Sequence, residues 1–352
     1  MKKASRIAAI VIVAAFAITA IFFSFERNQK LAVSWFDSIN SKDKEFLEES
    51  YFMGDDITYY NGRYIRWDGE KLTYLDNRGE TLWSRAFLFE EPSMRISGGI
   101  IVIFGKNGEL FAYGIDGKTR FELELEQNIF NVEILKKNIL VHIKSNDMEK
   151  LVVFDLKGDE VASIGPTKNS FIGFWTDKKG IINYSDLRFK GNSMYSGIYT
   201  IKDSEAVVEL KDEIIIRAIS YRNSLLILTD EGIKLFSKKG IEWEKKFPLF
   251  KDAIVDGNDI YVLYGDNIEL LSESGDTLVK ETSSMDLKRL HKHGRYIIIY
   301  GKRDIIALRD GMITAEYSTG GKIKDIDHMF NDLIVTMEDG VSVMRLKDID
   351  EN

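Results

Sequence analysis

Eight short, strongly apolar β-type runs, each opened by a Gly or Asn turn, predict an all-β fold: a β-propeller of about eight four-stranded blades. The runs read NGRYIRW, SGGIIVIF, KKNILVHI, DKKGIINY, YRNSLLIL, DGNDIYVL, KHGRYIII and MFNDLIVT. Their turn residues, Gly62, Gly99, Asn138, Gly180, Asn223, Asn258, Gly294 and Asn331, stand 35 to 43 residues apart. A self-similar period of that size marks a repeat architecture, and each unit has room for four short strands. The count falls to seven if the first or last unit is not a blade.

Before the repeats, residues 7–25 (IAAIVIVAAFAITAIFFSF) carry no charge and no strong helix breaker. As a helix, that length matches a hydrocarbon core of about 30 Å. Lys2, Lys3 and Arg6 precede it, so the positive-inside bias keeps the short N-terminus cytoplasmic. Ala15-Phe16-Ala17 resembles a signal-peptidase site, but the apolar run continues to Phe25. A cleavable apolar region spans about 7–15 residues, so an uncleaved signal anchor is expected. The predicted order is a cytoplasmic stub (1–6), a transmembrane anchor (7–25), a juxtamembrane spacer (26–50) and an extracytoplasmic propeller (51–352). Within the spacer, Leu31, Trp35 and Ile39 recur at helical spacing and Ser38 to Lys44 is polar.

Each repeat then divides into four strands. The second is apolar at nearly every position, as a strand buried on both faces between neighbouring blades should be. The fourth is half-polar (FELELE, WEKKF) and suits an outer edge that must not template aggregation. A turn marker recurs between strands three and four at Gly79, Gly117, Gly158, Gly240, Gly275 and Gly311, where tight hairpins demand positive φ. The fourth unit has Asp203-Ser204 there instead, and its segment 187–197 (LRFKGNSMYSG) is expected to form a longer loop between strands two and three. Pro92, Pro166 and Pro248 are each expected just after a fourth strand. The last unit supplies only three strands, so 46–53 (FLEESYFM) is the candidate fourth strand that closes the ring.

Composition narrows the function. Three of the 48 basic residues precede the anchor, leaving 45 against 56 acidic ones beyond it, about −11 in all. A nucleic-acid surface needs a dominant basic field, so nucleic acid is excluded as a partner. The chain has no Cys, hence no disulfide, no Cys-ligated metal and no lipid-modified Cys.

The units at 57–89 and 225–250, each with an Asn/Gly turn, an apolar strand, a Gly turn and a Trp-bearing fourth strand (GETLWS at 79–84, GIEWEK at 240–245), resemble the quinoprotein-type (PQQ-like) propeller repeat. With its lysine-led anchor, GIKLFSKKGIEWEKKF and SGDTLVKE, nearly all of 1–346 is similar to a family of uncharacterised bacterial membrane-anchored propellers. The resemblance implies an extracytoplasmic propeller with no known chemistry.

No residue pattern assigns an activity. Asp76, Asp116, Asp230 and Asp310 fall in hairpin turns and read as turn residues rather than Ca²⁺ ligands. DNRGETLW at 76–83 is a degraded aspartate box without its serine. No Ser-His-Asp arrangement, phosphate-cradling loop or HExxH motif occurs. Trp83 and Trp243 fill equivalent positions and read as packing between blades. The four histidines are His142, His291, His293 and His328. His291 and His293, with Arg289 and Arg295, make RLHKHGR, the most basic short run beyond the anchor and the candidate binding surface. A metal is disfavoured there by the like charges and by the lack of further histidines close in sequence, although His328 occupies the corresponding turn of the next unit. An anion or an acidic partner suits the run better. The expectation is a non-enzymatic, cofactor-free platform for an envelope protein or a cell-wall polymer. The alternative is a quinone- or Ca²⁺-dependent dehydrogenase, or a glycan-active enzyme.

Overall fold

The computed structural model describes residues 44–54, 56–203 and 205–348. The transmembrane segment expected at 7–25 and the helix expected around Trp35 lie outside the described residues. No helix among the described residues is long and apolar enough to cross a membrane.

Among the described residues, thirty-two strands form eight four-stranded antiparallel sheets. Seven are consecutive meanders spanning 57–86, 93–124, 129–167, 170–211, 215–246, 250–282 and 287–318: blades one to seven. Blade eight combines Ile323–Met329, Asp332–Met337 and Gly340–Asp348 with Lys44–Met53 from the other end of the chain. That strand pairs antiparallel with Gly340–Asp348, from Lys44 opposite Asp348 to Met53 opposite Gly340. The closing strand is thus the expected one, and it begins at Lys44, inside the stretch assigned to the spacer.

Apolar alternation explains why the blades stack. The second strand of blade seven, Tyr296–Gly301, is buried throughout. Successive side chains of a strand point to opposite faces, so Ile297 and Ile299 pack into the core shared with blade six. Ile298 and Tyr300 pack into the core shared with blade eight. The same division holds in blade two, where Ile101 and Ile103 face blade one and Ile100, Val102 and Phe104 face blade three. Eight apolar clusters result, one at every junction including that between blades eight and one. A ring of eight with eight cores leaves no blade face uncovered, and only the outer-strand edges remain.

A second contact runs round the outer ring. The turn glycine between the third and outer strands lies beneath a side chain from the outer strand of the preceding blade. A Cβ on Gly117 would come within 3.1 Å of the Trp83 indole, and one on Gly275 within 3.0 Å of Trp243. Phe121 covers Gly158, Val279 approaches Gly311, and Phe52 of the closing strand covers Gly79. Each indole also donates to the blade it covers, Trp83 Nε1 to the Ile115 carbonyl (3.3 Å) and Trp243 Nε1 to that of Glu273 (2.8 Å). Gly240, after the short outer strand Val208–Lys211 of blade four, has nothing near its missing Cβ.

Two expectations are corrected. Segment 187–197 is no loop: Ile182–Lys190 and Ser193–Thr200 pair up to Lys190 opposite Ser193, so the extra residues lengthen a hairpin that turns at Gly191-Asn192. The ladder runs on past the buried part of both strands, Ile182–Asp186 and Ser196–Tyr199, into half-exposed and exposed positions. Pro166 lies within the outer strand Glu160–Thr167 rather than after it, where the register against Met148–Asp155 slips between Glu149 and Leu151. An edge strand at a bulge tolerates the lost donor. The turn role of Asp76 holds, its Oδ1 accepting the amides of Arg78 and Glu80, both at 2.8 Å.

Candidate functional site

Meander topology gives the ring two different faces. Inner strands begin at one, here face A, which also carries the hairpins between second and third strands and the links between blades. They end at face B with the first hairpin of each blade. The closing strand runs from face B at Lys44 to face A at Met53.

Around the channel mouth on face A, the inner strands of blades three to eight each hold one extra residue. The ladder skips Phe130, Ile172, Ile216, Lys251, Lys288 and Lys324. A bulge turns its extra residue out of the ladder, so blades three to five present apolar side chains there and blades six to eight present lysines. The lysines are tied down: Lys251 Nζ donates to the Leu287 carbonyl at 2.7 Å, and Lys324 pairs with Asp56 at 2.8 Å. The apolar residues are not covered. Phe130 is 63% exposed, and beside this arc stand Phe189 on the lengthened hairpin (72%) and Leu249 in the link before blade six (80%). On the far side of the same face, Leu88 is 98% exposed.

Behind Phe130, a cavity of about 310 Å³ is lined by Gln127, Asn128, Ser145, Met148, Glu149 and Pro166. Glu149 is buried and accepts from His142 Nε2 and the Phe171 amide, each at 2.9 Å, and from Lys144 at 3.0 Å. Burial opposes its charge, but the Phe171 amide, Lys144 and His142 outweigh that and hold its carboxyl below the usual range. His142 is buried among Phe130, Phe171 and Phe174, and burial pushes its imidazole below its ordinary value. Sequence reading passed over this pair. Its signal is the register of one hairpin, in which Lys144 stands opposite Glu149 and His142 opposite Leu151.

The basic run divides along the inner strand Leu287–His293 of blade seven. Lys292 pairs with Asp256 of blade six. Arg289 lies beside Tyr300, whose phenol bonds to Asp325 at 3.1 Å and is pushed up to about 12 by burial and by that carboxylate, with Arg289 partly offsetting them. Arg295, past the Gly294 turn, sits over the Tyr296 ring with its guanidinium carbon 5.6 Å from the centroid. His291 and His293 turn instead to blade eight. His291 Nε2 lies 3.0 Å from His328 Nδ1, and the His293 ring meets that of His328 edge-on at 5.8 Å. His293 Nε2 contacts the Asn331 carbonyl at 3.2 Å, an inter-blade tie that Tyr221 makes to Asn258 from the same register position in blade five. His328, 35 residues beyond His293 and in the corresponding turn of the next unit, thus lies beside both histidines of the run and completes a cluster on face B.

Comparison with known proteins agrees with this architecture. The fold is similar to that of BamB from Moraxella catarrhalis, with a TM-score of 0.63 at 14% identity, over 85% of this chain and 99% of that one. It is also similar to Sqt1 from Saccharomyces cerevisiae, with a TM-score of 0.58 at 9% identity, over 87% of this chain and 99% of the other. At such identities the likeness is one of fold. No curated protein matches the sequence. One family model spans residues 40–346, the whole ring from its closing strand to its last blade, and the chain therefore belongs to DUF5711, a family of unknown function.

Proposed function

We propose that this protein is a non-catalytic, single-pass membrane-anchored propeller that holds a binding platform outside the cytoplasm for another envelope protein. The observation that carries the reading is the run of exposed apolar side chains on face A, with Phe130, Ile172, Ile216, Phe189 and Leu249 following one another over blades three to six. Large exposed apolar side chains gathered on one part of a surface favour an interaction site. The occupant that suits it is an apolar polypeptide segment. A cell-wall polymer matches less well, because these five side chains offer a sugar no hydrogen-bonding group.

Orientation supports the same reading. The chain enters the ring on face B at Lys44, so an anchor at residues 7–25 would tether that face and leave face A turned toward the envelope. A photo-crosslinking residue at Phe189 or Leu249 in living cells tests this, with Lys239 on face B as the control. One envelope protein captured from the two face A positions and not from Lys239 is the expected result. Capture of wall fragments alone would move the platform to a polymer. A purified ring carrying quinone, Ca²⁺ or oligosaccharide would replace the platform with an enzyme.

A further inference from the structure

We propose that His291, Asp327 and His328 form a divalent transition-metal site on face B, bridging the inner strands of blades seven and eight. The three ligand atoms lie within 4.8 Å of one another, His291 Nε2 3.0 Å from His328 Nδ1 and Asp327 Oδ1 3.7 Å from that same nitrogen. Metal–nitrogen bonds of about 2.0–2.1 Å put two ligands of one ion about 2.9–3.4 Å apart, from the octahedral to the tetrahedral edge. The histidine separation falls in that range, on the two atoms that an ion would use.

Asp327 is a neighbour of His328 on the strand Ile323–Met329, and the alternation of side chains would ordinarily send it to the other face. It is folded back instead, its Oδ1 accepting the His328 amide at 2.8 Å. Two imidazoles and one carboxylate select a borderline cation such as Zn²⁺, Ni²⁺ or Co²⁺ over Mg²⁺ or Ca²⁺, which take oxygen ligands. Asp327 and His328 are exposed, so water completes the coordination.

A second, independent observation lies beside the cluster. His293 is only 6% exposed, and its Nδ1 has no hydrogen-bond partner among the described residues. A buried polar nitrogen without a partner is uncommon and costly. Its ring stands against His328, where a metal-bound water would supply the donor that Nδ1 lacks. In this arrangement His293 positions the site from behind and does not bind the ion. The bound ion would staple the last two blades of the ring and raise stability through binding to the folded state alone.

The test uses the full chain, purified in detergent without a polyhistidine tag and stripped with a chelator. Titration with ZnCl₂ should give one site, and thermal midpoints should rise with ZnCl₂ or NiCl₂ and not with MgCl₂. CoCl₂ should give visible bands of nitrogen ligation that Zn²⁺ displaces. His291→Gln and His328→Gln should each abolish the one-to-one site, while His293→Phe should weaken it by roughly 10–100-fold, as loss of an outer-shell partner does. His142→Gln, far from the site in blade three, should leave it intact. Unliganded unfolding curves of each variant separate a lost site from a lost fold. Stoichiometric Zn²⁺ binding that survives in a folded His291→Gln/His328→Gln variant, or no Zn²⁺ binding by the wild type, overturns the proposal.

Discussion

At Gly117 a Cβ would press on the Trp83 indole, and the backbone φ is +76°. Gly275 repeats both conditions under Trp243, whereas Gly240 has a positive φ of +106° and nothing above it. The two costs can thus be measured apart. Gly240→Ala should lose about 1–2 kcal/mol, the left-handed backbone term. Gly275→Ala should lose that plus an overpacking penalty of about 1–3 kcal/mol, read as a lower urea midpoint at unchanged slope. Equal losses at the two positions would remove the indole contact from the account. The turn role of these glycines was legible, because positive φ is a local demand. Their second role was not, because the covering side chain belongs to another blade. His142 carries a different prediction. Burial holds its folded-state value below the ordinary 6.5, so the unfolded chain binds the proton more tightly. Its contribution is full above about pH 6.5 and is lost as the pH falls through and below that value. The thermal midpoint should drop between about pH 7.5 and about pH 5.5, and less steeply in His142→Phe. Asp327 escaped sequence reading for a simple reason: strand periodicity places neighbours on opposite faces, and only a backbone hydrogen bond brings it to His328.

Among the elements, the second strands and the closing strand divide the work. The second strands were readable as continuous apolar runs because each feeds two cores at once. The inner-strand bulges were invisible, since one extra residue in a short strand changes no period, yet they decide what face A presents. Phe46 of the closing strand is buried with Tyr317, Leu333 and Met344 between blades seven and eight. Phe46→Ala should therefore cost about 3–5 kcal/mol in chemical denaturation. Deleting residues 44–53 is a harsher change, because it bares the edge of Gly340–Asp348 and the floor under Phe52 at Gly79. Such a chain should self-associate through the unpaired edge, seen as higher mass by light scattering with faster proteolysis of blade eight. A monomer with unchanged stability would mean that the strand is ornamental.

For the whole molecule, ring closure joins residues about 290 apart, whereas neighbouring strands within a blade close over a few residues. Relative to a blade-length loop of about 40 residues, the added closure entropy is only about 2 kcal/mol, well within what Phe46 and Phe52 return. Closure should therefore be late but secure. The expected topology has its own check. The chain is free of Cys, so Lys239→Cys and Phe189→Cys each give one thiol, and both should react with an impermeant maleimide added from the outer side of the cell membrane. Protection of both would put the ring in the cytoplasm. The closing strand has a mechanical consequence as well. Tension on the chain ahead of Lys44 pulls this strand along its own axis, past Gly340–Asp348, while a partner seated on face A resists. Every rung of that ladder is then loaded together, in shear, and none can be peeled singly. An anchor ahead of Lys44 would therefore load this strand in shear, the geometry that resists force well.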